Sequence, residues 1–423
     1  MNFWNEIKMV FGDKSLRSRL LFVAGALLIS RLLATIPIPG IDAIKLSNFF
    51  SGSQFLGFLD IFSGGGLSNF SIVMLGVGPY ITGSIIMQLL TMMVPRLKAM
   101  YQEEGEIGRR KFTQYSRLIT VPIAFVQGFS FIVLLQKSGV ITNFSSMDMF
   151  VNMMVIVAGA VIMMWIGEMM TEFGIGNGTS LLIFAGIVSR LPSALSQMSL
   201  SFSTSQIPMY LLFTGVSLLV IYAVVFITEA ERPVPVTYAK RIRGSKVYGG
   251  ISTYLPLRVN QAGVIPIIFA MSILLFPQMI FKFLSQVATN DVVKTVAGSL
   301  NDFVSNSWVH AISYFILVFL FTFFYTAVSF DPDSISKNLQ QNGAFVPGVR
   351  PGQSTSDYLA KVLTRITLVG ALFLGIIAVL PLVVKSMTGI SSIAVGGTAL
   401  LIVVSVVIDL IKKIEAQITM REY

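Results

Sequence analysis

The chain has 423 residues, of which 54% are hydrophobic and 12% are charged, and its formal net charge is +10. Soluble proteins carry about 25% charged residues, so this composition excludes an ordinary soluble protein and indicates one that crosses a membrane repeatedly. The sequence has no cysteine, which excludes disulfides, thiol catalysis and cysteine-ligated metals.

Low-charge segments long enough to cross a bilayer recur from one end of the chain to the other. We predict ten transmembrane spans, of which the fifth is the shortest, at about 20–37, 72–94, 118–136, 150–167, 179–191, 209–228, 259–281, 309–328, 363–384 and 395–411. We therefore expect an all-α integral membrane protein.

The second span follows a stretch that does not fit a single crossing. Residues 61–95 contain no charged residue. As one helix they would reach about 52 Å at ~1.5 Å per residue, whereas a bilayer core is about 30 Å thick. Residues 61–71 are rich in Gly and Ser, while 72–94 are apolar and could span alone. We expect a short re-entrant piece before a full helix, and therefore a cavity within the membrane that accommodates its non-helical backbone.

A Gly-x-x-Pro-x-Ile motif occurs at 76–81 and again at 263–268. We expect both copies to interrupt a hydrophobic helix. Paired interrupted segments at matching places in two halves of a chain indicate a transport path. Coincidence is the alternative, because Gly and Pro are common in membrane helices.

Basic residues are distributed unequally between the two sides of the predicted spans. The side that holds both termini has 23 Lys and Arg, the other side has 6, and Arg31 lies inside the first span. Cytoplasmic segments carry the excess of Lys and Arg, so both termini are predicted to be cytoplasmic. Two homologous halves of five spans each, 1–207 and 208–423, must then enter the membrane in opposite directions, which makes an inverted repeat.

Two predicted cytoplasmic loops, 229–258 and 329–362, are too long for simple turns. The first is basic, and the second has Gly and Pro at defined places, which is typical of a shaped tip. Basic loops can fix topology or contact anionic lipid. They can also dock a large acidic partner, either protein or RNA. The sequence leaves both alternatives open.

Motifs that carry chemistry are scarce in this chain. The predicted spans hold one clear internal charge, Arg31, and the sequence has no zinc-protease motif, no serine-hydrolase elbow and no phosphate loop. We therefore predict no enzymatic activity, no cofactor and no metal site. A membrane cavity without a binding constellation suits a path for something large and varied. One rival is a secondary transporter with inverted repeats, which usually keeps ionisable residues in its spans. Another is a membrane-protein insertase without a through-pore.

Nine short motifs, each weak alone, occur in a specific order along the chain. They are 36–42 (IPIPGID), 62–65 (FSGG), 108–111 (GRRK), 174–178 (GIGNG), 238–241 (YAKR), 255–260 (LPLRVN), 343–348 (GAFVPG), 350–352 (RPG) and 396–398 (GGT). On these residues the chain resembles the SecY family, the main channel subunit of the bacterial Sec protein translocase, over nearly its whole length.

The resemblance implies two inverted five-helix halves around a central hourglass pore, with a lateral gate between spans two and three on one side and seven and eight on the other. It implies a re-entrant plug helix near 57–70, which includes Phe62, Ser63, Gly64, Gly65, Gly66, Leu67 and Ser68. By motif position it implies a pore ring of mostly aliphatic side chains at Val77, Ile81, Thr179, Ile183, Ile268 and Ile402.

The resemblance further implies a channel that passes unfolded preproteins across the bacterial cell membrane and inserts membrane proteins laterally into it. Lys240, Arg241 and Arg350 match the basic positions that dock cytoplasmic partners in that family. The implied partners are the SecE and SecG subunits, the SecA motor ATPase, the ribosome, preprotein signal sequences, nascent membrane helices and membrane lipids.

Overall fold

The fold is mostly helical. The computed structural model describes residues 12–39, 45–46, 60, 63, 65–141, 145–190, 192, 196, 207–239, 241–243, 246–248, 252–287, 290–388 and 391–422. Its main helices are α1 (Lys14–Thr35), α2 (Gly78–Met93), α3 (Pro95–Gln102), α4 (Gly105–Lys137), α5 (Ser146–Phe173), α6 (Gly178–Val188), α7 (Ile207–Glu229), α8 (Ile265–Val287), α9 (Asp291–Ser305), α10 (Ser307–Ser329), α11 (Pro332–Gln341), α12 (Gln353–Thr388) and α13 (Ser391–Glu422).

Every predicted span overlaps a helix, in the order α1, α2, α4, α5, α6, α7, α8, α10, α12 and α13. Among the described residues, five helical stretches are long and apolar enough to cross a membrane: Lys14–Thr35, Gly105–Gln136, Ser146–Phe173, Ser307–Gln341 and Gln353–Leu380. Three further apolar helical stretches are shorter, namely Gly178–Val188, Thr214–Glu229 and Ile265–Leu274. Ten spans therefore stay a prediction, since length and composition identify five.

The two Gly-x-x-Pro motifs begin helices, so the expectation that they interrupt helices is wrong. Gly76 and Gly263 have positive φ angles of 54° and 61°, a conformation that glycine adopts without steric cost. In each copy the helix starts two residues later and the proline is its second residue. Proline is favoured there because the first turn leaves its N–H groups unbonded in any case. The same backbone solution at both places supports an internal repeat.

The two long loops contain β-strands, which the sequence analysis did not anticipate. Strands β1 (Glu231–Tyr238), β4 (Ser252–Arg258) and β5 (Ala344–Phe345) form an antiparallel sheet in the order β4-β1-β5, and β2 (Arg241–Arg243) pairs with β3 (Lys246–Tyr248). Pro233 and Pro235 argue against a central strand. Among the described residues, β5 pairs with Thr237 and Tyr238 and does not reach the prolines, where β1 pairs with β4 alone. The prolines therefore lie in an edge part of the strand, where a missing N–H is tolerated.

A small hydrophobic core joins the two loops to the helices that follow them. Its buried members are Val234, Leu257, Val346, Leu359 and Val362. They come from β1, from β4, from the turn after β5 and from α12. The described strands β1, β4 and β5 therefore form one folded surface with α12, which agrees with the prediction of a shaped tip in the second loop.

Candidate functional site

The six predicted ring residues come from four parts of the chain. Val77 precedes α2 and Ile81 lies within it, Thr179 and Ile183 lie in α6, and α8 and α13 carry Ile268 and Ile402. The five aliphatic members are between 1% and 8% exposed. All five belong to one cluster of buried hydrophobic residues, which we call the central cluster. The structure thus brings together aliphatic residues from both predicted halves.

Helix packing connects the two predicted halves around the central cluster. Helix α8 packs against α2 and against α4, and α13 packs against α6. The contact of α8 with α2 and α4 joins spans two and three to span seven. This seam lies at one side of the predicted lateral gate, which also includes span eight and stays a prediction.

Thr179 is the one polar member of the predicted ring, and it is half-buried. Its hydroxyl donates to Asn177 Oδ1 at 2.6 Å, and the same oxygen accepts the backbone N–H of Thr179 at 3.1 Å and of Ser180 at 3.2 Å. Asn177 is thus the N-cap of α6, a position that amide side chains favour. Because the Thr179 hydroxyl donates its hydrogen bond to Asn177, it has no further hydrogen to donate to the ring.

Five of the seven predicted plug residues are described: Ser63, Gly65, Gly66, Leu67 and Ser68; Phe62 and Gly64 lie outside the described residues. Residues 65–70 form hydrogen-bonded turns, so the expectation of a plug helix is wrong for this part. Glycine has low helix propensity, and it is concentrated here. We call Asp60, Ser63 and 65–70 the plug segment.

The plug segment is held by a second hydrophobic cluster, which we call the plug seat. Its buried members are Ile38, Leu46, Leu67, Phe70, Met74, Phe131, Ile132, Leu134, Leu135, Val140, Ile141, Met153 and Ile156. The Ile38 N–H also donates to the Phe70 carbonyl oxygen at 2.9 Å. All members precede residue 157, so the seat belongs entirely to the predicted first half.

Phe70 shows how firmly the seat fixes this backbone. Its φ is +43°, a region that bulky side chains avoid at a cost of about 1–3 kcal/mol. The side chain is 1% exposed and stacks on Phe131 with the ring centroids 6.3 Å apart. Burial in the seat offsets the backbone strain.

Of the predicted docking residues, Arg350 has a described side chain and Arg241 a described backbone. Lys240 is outside the described residues, and Arg241 begins β2, opposite Tyr248. Arg350 is exposed. Its carbonyl oxygen accepts the Thr355 hydroxyl at 2.8 Å, which ties the turn to the start of α12. Arg350 therefore projects from a turn of fixed shape.

An ion pair between the buried Asp60 carboxylate and the half-buried Arg190 guanidinium was not predicted from the sequence. The available signals were slight: Asp60 is the last charge before the uncharged stretch 61–95, and Arg190 lies at the end of the predicted fifth span. Nothing in either position predicts that the two residues meet. Within the described residues, no group of three or more His, Cys, Asp or Glu is placed to hold a metal ion.

Comparison with known proteins identifies the family. The SecY family profile matches residues 71–411. The chain belongs to the SecY family. The protein translocase subunit SecY of Thermotoga maritima is 39% identical over 431 residues, which cover 99% of this chain and 97% of that protein. SecY of Synechocystis sp. is 40% identical over 418 residues, which cover 96% of this chain and 93% of that protein.

Solved structures share the SecY fold at low sequence identity. A protein-conducting channel matches with a TM-score of 0.65 and 18% identity over 93% of this chain and 91% of that chain. A SecY whose plug domain stabilises the closed channel and maintains a membrane seal matches with a TM-score of 0.64 and 19% identity, over 93% of this chain and 91% of that chain. A yeast Ssh1 complex bound to the ribosome matches with a TM-score of 0.64 and 14% identity, over 93% of this chain and 88% of that chain. The predicted helical channel architecture is confirmed at the level of the fold.

Proposed function

We propose that the chain is the channel subunit of a Sec protein translocase. It passes unfolded preproteins across the bacterial cell membrane and releases membrane helices sideways into lipid. The observation that carries the proposal is the convergence, in a chain of the SecY family, of buried aliphatic residues from both halves into one cluster.

The ring acts as a hydrophobic gasket. Val77, Ile81, Ile183, Ile268 and Ile402 close the constriction together with Thr179, whose hydroxyl is engaged in the α6 cap. A narrow apolar constriction resists wetting and so blocks ions. Aliphatic side chains offer no directed hydrogen bonds, so an extended polypeptide of any sequence passes without binding tightly.

Opening follows from the binding of a signal sequence at the helix seam. The seam of α8 with α2 and α4 is the lateral gate through which apolar segments reach lipid. A signal sequence stabilises the open state only by its greater affinity for that state. Sequences that are too polar to bind the opened seam therefore fail to start transport.

The folded surface of the two loops faces the cytoplasm and receives the partner that drives transport. The excess of Lys and Arg on that side supports this orientation for the loops and for both termini. The partners are the SecA motor ATPase and the ribosome, with SecE and SecG as accessory subunits. A structural relative in complex with a ribosome supports this assignment. Arg350 supplies a rigid fork of donors to an acidic partner.

The proposal is tested by reconstitution. The chain is purified with SecE and SecG, inserted into sealed vesicles and given SecA, ATP and a radiolabelled preprotein. We expect the preprotein to become protected from added protease, and to stay sensitive when ATP is withheld or the signal sequence is deleted. Vesicles that fail to protect the preprotein with every component present would contradict the proposal.

A further inference from the structure

The carboxylate of Asp60 is buried at the start of the plug segment, with its side chain 3% exposed. A buried carboxylate is stable only when it is paired and hydrogen-bonded. One of its oxygens, Oδ1, accepts the backbone N–H of Ser68 at 2.9 Å and the Ser63 hydroxyl at 3.1 Å. The other, Oδ2, pairs with the guanidinium of Arg190. Asp60 therefore joins the segment to a residue 130 positions away.

Arg190 bonds to the plug segment at more than one residue. Its Nη2 also donates to the Ser68 hydroxyl at 3.1 Å. Its guanidinium lies over Gly65, where an added Cβ would be 3.5 Å from Nε. One arginine just beyond α6 thus bonds the segment at Asp60 and at Ser68 and lies close to Gly65.

Arg190 is also linked mechanically to the constriction. It lies two residues beyond Val188, the last residue of α6, and the same helix carries Thr179 and Ile183. A displacement of α6 that widens the constriction therefore carries Arg190 with it. The plug segment is seated through Leu67 and Phe70, and no buried member of the seat comes from α6. Movement of α6 therefore separates Arg190 from Asp60 without first moving the seat.

We propose that the Asp60–Arg190 ion pair is a latch that positions the plug segment in the closed channel and releases it when α6 moves. This inference rests on the proposed function, because a plug has meaning only in a channel. The pair suits a switch because its strength depends on dryness. In the closed channel, where Asp60 is buried and Arg190 is half-buried, the two charges attract strongly. In water the attraction is weak and both charges are hydrated. When the channel opens and water enters, the attraction between Asp60 and Arg190 becomes weak, so the ion pair does not re-form immediately.

The test uses the absence of cysteine from the chain. Leu67, which is 2% exposed in the plug seat, is replaced by Cys as a reporter, and its rate of modification by a thiol reagent is measured in vesicles. Resting ion conductance is measured on the same preparations. Arg190→Gln and Asp60→Asn each remove one charge of the pair. We expect each to raise both the labelling rate and the conductance by about tenfold, because breaking a buried pair is strongly destabilising.

Three further variants separate a latch from general loss of structure. The double variant with both Arg190→Gln and Asp60→Asn should be no worse than either single variant, because the two act on one interaction. Arg190→Lys keeps the charge and should restore most of the slow labelling. Arg117→Gln is the matched control, because it removes the Arg117–Glu168 ion pair between α4 and α5, 2.8 Å long and outside the plug segment. It should change neither readout.

The latch is overturned if the single variants label Leu67→Cys no faster than the parent, or if the effects of the two single variants add in the double. Preprotein transport by the parent is measured in the same vesicles. A parent that transports while the Arg190 variants stay sealed refutes the latch alone. A parent that transports nothing refutes the proposed function, whatever the variants do.

Discussion

Replacing Ile81 and Ile268 together by Asn should turn a dry constriction into one that leaks ions. Ile81 is 8% exposed and Ile268 is 4% exposed, and both lie in the central cluster. Asn is similar in size to Ile, so the main change is polarity. A buried amide without partners costs roughly 1–3 kcal/mol, and wetting relieves that cost. The substitution therefore penalises the closed state more than the open one.

The magnitude follows from the packing of the two helices. Helices α2 and α8 are in contact, so the two amides can hydrogen-bond to each other and recover part of the cost. We expect a net shift of about 1.4–3 kcal/mol towards the open state. At about 1.4 kcal/mol for each factor of ten, this is an increase of about 10- to 100-fold in resting open probability.

The assay is resting conductance in a planar bilayer, combined with transport of a preprotein whose signal sequence is weakened. The double variant should conduct more than the parent and should accept the weakened signal, because less of the opening energy must come from signal binding. The control replaces Ile86 and Ile280 by Asn; they lie on the same two helices and are each 38% exposed. A double variant that inserts and folds normally yet conducts no more than the parent would place the ring at other residues.

Three further predictions concern the folded surface of the two loops. Single cysteines at Ser245 and at Gln353 should react with an impermeant thiol reagent in inverted membrane vesicles, which expose the cytoplasmic face, and not in sealed cells. Arg350→Glu should abolish SecA-driven transport in vesicles, whereas Lys337→Glu, the same change at another exposed site, should not. Leu359→Ala, at a side chain that is 0% exposed beneath the sheet, should cost about 2–5 kcal/mol and lower the melting temperature in detergent.

Each of these three predictions has a result that would count against it. Labelling of either cysteine from outside the cell would reverse the assigned topology. Normal transport by the Arg350 variant would remove that residue from the docking surface. For Leu359, the comparison is Leu368→Ala on the same helix, where the side chain is 45% exposed. Equal melting temperatures for the two variants would show that the small core under the sheet contributes little.

The helices could be predicted from the sequence because their signals are local, whereas the ring residues in the central cluster were implied by the resemblance to the SecY family. Long apolar runs predict spans. The repeated Gly-x-x-Pro pointed to Ile81 and Ile268, which the structure places in one cluster. The error lay in the role of the motif, since a proline that breaks a helix interior is equally suited to a first turn. Local sequence cannot choose between these two positions.

The sheet and the ion pair could not be predicted because both depend on contacts between distant residues. Strand β5 has two residues, and it exists only because β1 lies beside it. Prolines in β1 argue against a strand unless the missing neighbour is known. Asp60 and Arg190 each read as charges at the margin of a span, and only the folded chain reveals that they are paired.

In the proposed channel, the central cluster and the plug segment form two barriers that respond to different movements. The central cluster is built from both halves, so separating the halves across the seam of α2 and α8 opens it. The plug seat is built from the first half alone, so the same separation leaves it intact. When the halves separate without a displacement of α6, the Asp60–Arg190 latch stays closed, so the two barriers act independently and their open probabilities multiply. Combining Arg190→Gln with the Asn pair at Ile81 and Ile268 should therefore raise resting conductance by about the product of the separate increases, or 100- to 1000-fold. A combined variant that leaks no more than the Asn pair alone would show that opening the constriction already displaces the plug, and that the two barriers act as one.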